Sequence, residues 1–209
     1  MIALPSPLWI HEPGLINYQE ALEFMENQVR YIRQKKSQEI IWCVEHPPIF
    51  TAGTSSKAEH LLDTFGFPVY QTGRGGQYTY HGPGQLVVYV MLDLEKRKKD
   101  IRLYINTLEK WIIKTLSHFN VEAEQKEGRV GLWVKGENDR EEKIAAIGVR
   151  ITKWVTWHGL SINVCPNLIH FQGIIPCGIS EYGVTSLEKL GIKATLAEIQ
   201  AQLKRNSPF

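Results

Sequence analysis

A chain of 209 residues with 43% apolar content can bury one good core and reads as a single domain over 1–209, at most with a small lobe. Its 24 basic residues against 22 acidic ones leave a net charge of +2, so no whole-surface field argues for nucleic acid and any basic recognition has to be local. The longest apolar runs, such as Leu86 to Leu92, fall far short of the ~20 residues that cross a bilayer.

The opening "MIALPSPLWIHEPG" has no basic n-region, long apolar stretch or Arg-rich amphipathic pattern, so the cytoplasm is the expected compartment. The next segment, 17–34, carries Leu22, Met25, Val29 and Ile32 at helical spacing, with Asn17 and Glu20 in a capping-box relation. "EIIWCVEHPP" (39–48) reads as a buried strand stopped by two prolines, and "FPVYQT" and "LVVYVMLDL" as strands on either side of a glycine-rich loop. Asp100 caps a second helix whose face is laid by Ile101, Tyr104, Ile105, Leu108, Trp111, Ile112, Thr115 and Phe119. "GLWVKGENDREEKIAAIGVRI" then predicts a hairpin with a polar tip at 136–142, and "WVTWHGLSINV" a further strand, so the sheet is expected to be largely antiparallel there. Irregular chain follows Pro166, and a short helix from about Leu196 closes the domain. The class is α+β, a mixed sheet flanked by helices.

The loop "GRGGQYTYHGPGQ" (73–85) packs five glycines, a proline, an arginine and a histidine into one stretch, more than a chain reversal needs. Such density suits a backbone that a ligand approaches closely.

Three cysteines at irregular spacing, with no CxxC, make neither a disulfide framework nor a zinc site. Cys43 and Cys165 lie in strand-like apolar runs and read as inert small hydrophobes. Cys177, between proline and glycine in "IIPCGIS", sits in a loop that can present its thiol. A nucleophilic cysteine needs a base or a cation beside it, and His81, His158 and Lys143 are the candidates. Lys143 opens the apolar run "KIAAIGVRI", where burial disfavours an ammonium and suits a proton acceptor, or where the stem simply snorkels at a strand end. His81 and His158 each precede glycine; each ring either faces a cleared space or is a hydrogen-bonded core histidine. The other histidines show no such context.

"RGGQYTYHGPGQ" (Arg74 to Gln85), with Tyr89 beyond it, resembles the signature of the lipoyl(octanoyl) transferases, and "KIAAIGVRI", "HGLSINV" and "IIPCGI" agree with that family in order and spacing. The resemblance spans most of the chain. It implies a fold like that of biotin and lipoate protein ligases and transfer of an octanoyl or lipoyl group from acyl carrier protein to a lysine of a lipoyl domain. By resemblance, Cys177 carries the acyl group as a thioester, and Lys143 lowers its pKa and shuttles protons. The substrate-binding segments would be Arg74, Gly75, Gly76, Gln77, Tyr78, Thr79, Tyr80 and His81, then Ala146, Ile147 and Gly148, and lastly Gly159, Leu160 and Ser161, with His158 in support. The acceptors implied are the lipoyl domains of 2-oxoacid dehydrogenase complexes and the glycine cleavage H protein. No cofactor, metal, nucleic acid or membrane is expected to take part.

Two departures stand out. Ser161 replaces an expected small apolar residue, and "KGENDREE" lengthens the hairpin before Lys143. An acidic carrier calls for a basic patch; "EKRKKD" (95–100) is the obvious cluster, or else a solvated loop leading into a helix. Rival readings are an ATP-dependent lipoate or biotin ligase, a non-catalytic module that binds lipoyl domains or acyl groups, and a cysteine hydrolase. The thiol in "PCG" argues against the first, because an acyl-adenylate has no need of it.

Overall fold

The computed structural model describes residues 6–136, 139–175 and 182–209. Its elements run β1 (Leu8–Leu15), α1 (Tyr18–Arg33), β2 (Ile40–Glu45), β3 (Ile49–Ala52), β4 (Val69–Gln71), β5 (Tyr78–His81), β6 (Gln85–Met91), α2 (Ile101–Ser117), β7 (Glu124–Lys126), β8 (Arg129–Lys135), β9 (Glu141–Thr152), β10 (Val155–Asn163), β11 (Gly183–Val184) and α3 (Leu196–Arg205). The large sheet has the order β1-β2-β6-β10-β9-β8-β7, with β11 pairing β9, and β4-β3-β5 form a small second sheet. Pairing from β2 through β8 is antiparallel, as expected; β1 on β2 and β11 on β9 are parallel.

Alternation along the central strands separates two cores. Leu86, Val88 and Val90 of β6 and Leu160 and Ile162 of β10 face Leu108, Trp111 and Ile112 of α2 and Leu203 of α3. Val87, Tyr89 and Met91 turn the other way, onto Ala21, Met25, Val29 and Ile32 of α1. The helices start where the sequence says: the side chains of Asn17 and Asp100 accept from Gln19 N and Leu103 N. The reciprocal capping box falls at Thr195 and Glu198, before α3, rather than at Asn17, whose side chain accepts from Gln19 N. Ile101, expected on the apolar face of α2, is exposed.

Three local readings change. Strand β1 was not evident because most of its residues are exposed and it pairs at one edge only. The glycine-rich stretch is not one loop, since β5 lies inside it and pairs with β3, leaving 72–77 and 82–84 as the irregular parts. Cys165 is exposed beyond the end of β10 rather than packed in a strand, whereas Cys43 is buried, which pushes its thiol up to about 12.

Candidate active site

On the α1 face of the sheet, β6, β9 and β10 form the floor of a cavity of about 240 Å³, covered by the segment after Arg74. Its walls bring together most of the residues singled out from the sequence: Arg74 to Thr79, His81, Lys143, Ala146 to Gly148, and His158 to Ser161. Tyr80 is not among them. Alternation turns its ring from Thr79 and His81 into a small core with Phe50 and Phe171, where its hydroxyl meets His170 Nδ1 at 2.8 Å. Cys177 lies outside the described residues.

Lys143 reaches the cavity through a break in alternation. Of the β9 residues 146–148 that line the cavity, Ala146 and Gly148 face it by alternation, whereas Ile147 packs its side chain against the α2 core, as Ile144 and Ala145 both do. The β8–β9 register shifts between Leu132, opposite Ala145, and Trp133, opposite Lys143. This bulge places one extra residue on β9 and swings the odd-numbered lysine to the cavity side. There its amine donates to Val130 O at 3.1 Å and lies 4.7 Å from the centre of the Trp133 ring. The side chain is buried.

Gly131 makes room for that amine. With φ +114°, it occupies backbone that side chains rarely adopt, and a Cβ there would stand 2.7 Å from Ala145 O and 3.3 Å from Lys143 Nζ. Gly131→Ala should cut the activity of the site more than tenfold and cost about 1–3 kcal/mol of stability. Gly66→Ala is the control: its φ is also positive, at +75°, yet a Cβ there meets nothing within 4 Å. Catalytic rates and thermal melts of the two variants test the prediction; equal activity in both would show that the space beside the amine is immaterial.

Arg74 braces the cover from below. Its buried guanidinium donates to Thr51 O and Oγ1 at 2.8 and 2.7 Å and to Gly75 O at 3.0 Å. Gly148 lets this side chain cross the sheet, because a Cβ there would lie 2.9 Å from Arg74 Cδ.

The inner wall is a neutral polar network that the sequence reading passed over in part. His46 donates from Nδ1 to Ile16 O at 2.7 Å, so its Nε2 accepts from the Tyr89 hydroxyl at 2.6 Å. His81 Nδ1 donates to Gln85 Oε1 at 2.6 Å; Gln85 Nε2 donates to Asn163 Oδ1 at 2.9 Å, and Asn163 Nδ2 to Thr185 O at 2.9 Å. Burial lowers the basicity of His46 to about 4, and burial with the charges of His46 and Arg74 lowers that of His81 to about 3. Tyr18, Gln85, Tyr89 and Asn163 line the cavity and were missed as site residues, as was His46, which supports Tyr89 from outside the lining. The period-2 set Gln85, Val87, Tyr89 immediately after the glycines was the signal available.

His158 also breaks alternation. As an even-numbered residue of β10 it would join Leu160 on the α2 side, but its φ of +57° turns the ring onto Trp157, with centroids 5.2 Å apart. Among the described residues its buried Nε2 has no hydrogen-bond partner.

The basic cluster is less charged than its sequence implies. Lys96 pairs with Asp93 at 3.7 Å, and Lys99 pairs with Glu95 at 2.7 Å while lying over Trp154. At the cavity, Arg129 pairs with Glu141 at 2.7 Å, and outside its lining Arg150 stacks on Trp157 at 4.2 Å.

A mixed sheet with a buried lysine in the wall of a glycine-covered cavity defines a protein of the lipoate-ligase fold. The chain superposes on the bi-partite lipoate protein ligase of the Thermoplasma acidophilum lipoylation system with a TM-score of 0.72, at 16% identity over 96% of this chain and 81% of that one. Residues 17–206 match the family described as Lipoyl protein ligase A/B catalytic domain. Proteins named octanoyltransferase are similar over nearly the whole length: that of Cereibacter sphaeroides is 54% identical over 96% of this chain and 95% of its own, and that of Brucella melitensis 53% over 95% and 78%. The chain belongs to the octanoyltransferase family, acyltransferases of lipoate biosynthesis.

Proposed function

We propose that residues 1–209 form one catalytic domain that takes the octanoyl group from acyl carrier protein onto Cys177 and passes it to the lysine of a lipoyl domain. The observation that carries this reading is the buried Lys143 amine, delivered by the β9 bulge to the wall of the cavity.

In the first half-reaction the Lys143 amine takes the Cys177 proton, and the thiolate adds to the thioester carbonyl. The resulting ammonium protonates the carrier's thiol as it leaves. In the second, a neutral acceptor ε-amine attacks the acyl-cysteine; an amide forms, the Cys177 thiolate departs, and Lys143 takes the proton that the amine sheds. One thioester exchanged for another is nearly isoenergetic, so the sequence of steps needs no nucleotide. Tyr78, Val87, Ala146 and Phe171 give the acyl chain apolar walls, each buried CH₂ contributing about 0.8 kcal/mol.

The acceptors in this reading are lipoyl domains of 2-oxoacid dehydrogenase complexes and the glycine cleavage H protein, met in the cytoplasm. No helix among the described residues is long and apolar enough to cross a membrane. The test is incubation with octanoyl-acyl carrier protein and no nucleotide, followed by peptide mass spectrometry. A hydroxylamine-labile octanoyl adduct on Cys177 is expected; an adduct elsewhere, or transfer that requires ATP, would overturn the mechanism.

A further inference from the structure

In each half-reaction Lys143 takes up a proton, so the surroundings of its amine have to suit an ammonium as well as a neutral base. The amine lies over the ring of Trp133, 4.7 Å from its centre. Trp133 stands opposite Lys143 across the β8–β9 ladder, just past the register shift that turns the lysine to the cavity. Leu132 and Val134 on either side of it pack in the α2 core, and alternation sends the indole to the lysine's side of the sheet. The ring is held there on several sides. Its Nε1 donates to Arg129 O at 3.2 Å, the Tyr182 ring meets it edge to face at 5.2 Å, and the Arg129 guanidinium lies over it at 4.8 Å. Trp133 is 2% exposed and is not part of the cavity lining, so it touches no acyl group and acts only through the lysine.

We infer that Trp133 is a positioning residue for the transfer: its indole face receives the ammonium that Lys143 becomes when it takes a proton, and so favours the thiolate and ammonium pair through which both half-reactions pass. The inference rests on the acyl-transfer reading of the cavity. An aromatic face attracts a cation through its quadrupole and does far less for a neutral amine. The stabilisation therefore grows as the proton arrives, and an interaction stronger in the transition state than before it is what lowers a barrier. Because the ring is fixed beforehand by its hydrogen bond and its edge-to-face contact, no reorganisation has to accompany the proton. The second cation on the ring does not cancel the effect, since the charge of Arg129 is offset by Glu141 at 2.7 Å.

The test replaces Trp133 alone, by site-specific incorporation, with tryptophan carrying one, two, three and then four fluorines on its six-membered ring. Fluorine withdraws electron density from the ring face while leaving the shape of the side chain and its N–H nearly unchanged, so the fold is kept. Acylation by octanoyl-acyl carrier protein is followed in single turnovers by mass spectrometry. The logarithm of the rate should fall in step with the fluorine count, by roughly tenfold over the series, and the loss should lie in the rate at saturation rather than in KM. Trp133→Leu should lose at least as much, and Trp133→Phe, which keeps an aromatic face, should recover part of it. A rate that is flat across the fluorine series, or a loss carried by KM, overturns the positioning role and leaves the acyl-transfer reading standing. Failure of the unsubstituted protein to form an octanoyl adduct overturns both.

Discussion

Lys143→Met is expected to slow formation of the octanoyl-enzyme by about 10²- to 10⁴-fold, the range that a positioned proton-transfer group supplies, while Cys177→Ala abolishes the adduct altogether. Methionine keeps an unbranched apolar stem for the buried channel beside Trp133 and deletes only the amine that donates to Val130 O. The fold should tolerate the exchange, since burying a thioether costs less than burying a polar amine. An unperturbed thiol is only a few per cent thiolate at neutral pH, so losing its proton acceptor leaves a slow but measurable reaction that accelerates as pH approaches the thiol's own range. Single-turnover mass spectrometry between pH 7 and 9 reads this directly. A Lys143→Met protein that acylates within a few-fold of wild type, with the same pH profile, would remove the lysine from the chemistry.

How much of this was legible in the sequence depends on what each residue reports. Helices α1 and α2 announced themselves because their buried positions recur at 3.6-residue spacing and because Asn17 and Asp100 are good caps. Strand β1 did not, since an edge strand with mostly exposed residues carries no period-2 signal. The glycine-rich stretch drew attention for its composition, yet the strand within it stayed hidden because β5 takes its register from β3 across the small sheet.

At the site, short motifs marked Arg74, Lys143 and His158. What strict alternation could not supply was their direction. Lys143 and His158 face the cavity only because the β9 bulge and the positive φ at His158 override it, and both are local backbone events set by tertiary pairing. His46 was passed over because it sits in "EHPP" with no neighbouring motif; its partners Ile16 and Tyr89 are 30 and 43 residues distant.

The same buried histidines make a second prediction, about stability. His46, His81 and His158 have basicities lowered to about 4, 3 and 3 in the folded protein, chiefly by burial, whereas in an unfolded chain each titrates near 6.5. Between those limits the unfolded state binds the protons and the folded state does not, so unfolding becomes easier as pH falls. Above about 6.5 the three contribute no pH dependence. Below it each removes about 1.4 kcal/mol per pH unit, together about 4 kcal/mol per unit near pH 5. Each contribution saturates at its folded-state value, so the three together remove at most about 13 kcal/mol; a domain at the lower end of the usual range of about 5–15 kcal/mol should therefore unfold cooperatively within roughly one to two units below pH 6.5, while the shifted surface carboxylates Glu95, Glu124, Glu141 and Glu198, all lowered by their partners, withdraw their stabilisation only at lower pH. Urea unfolding from pH 7.5 to 5 measures the slope, which should approach three protons. His158→Phe should reduce it by about one without moving the onset. A slope of one proton or less in the wild-type protein would mean that these imidazoles accept protons in place, and that the inner wall of the cavity is open to water rather than closed around neutral rings.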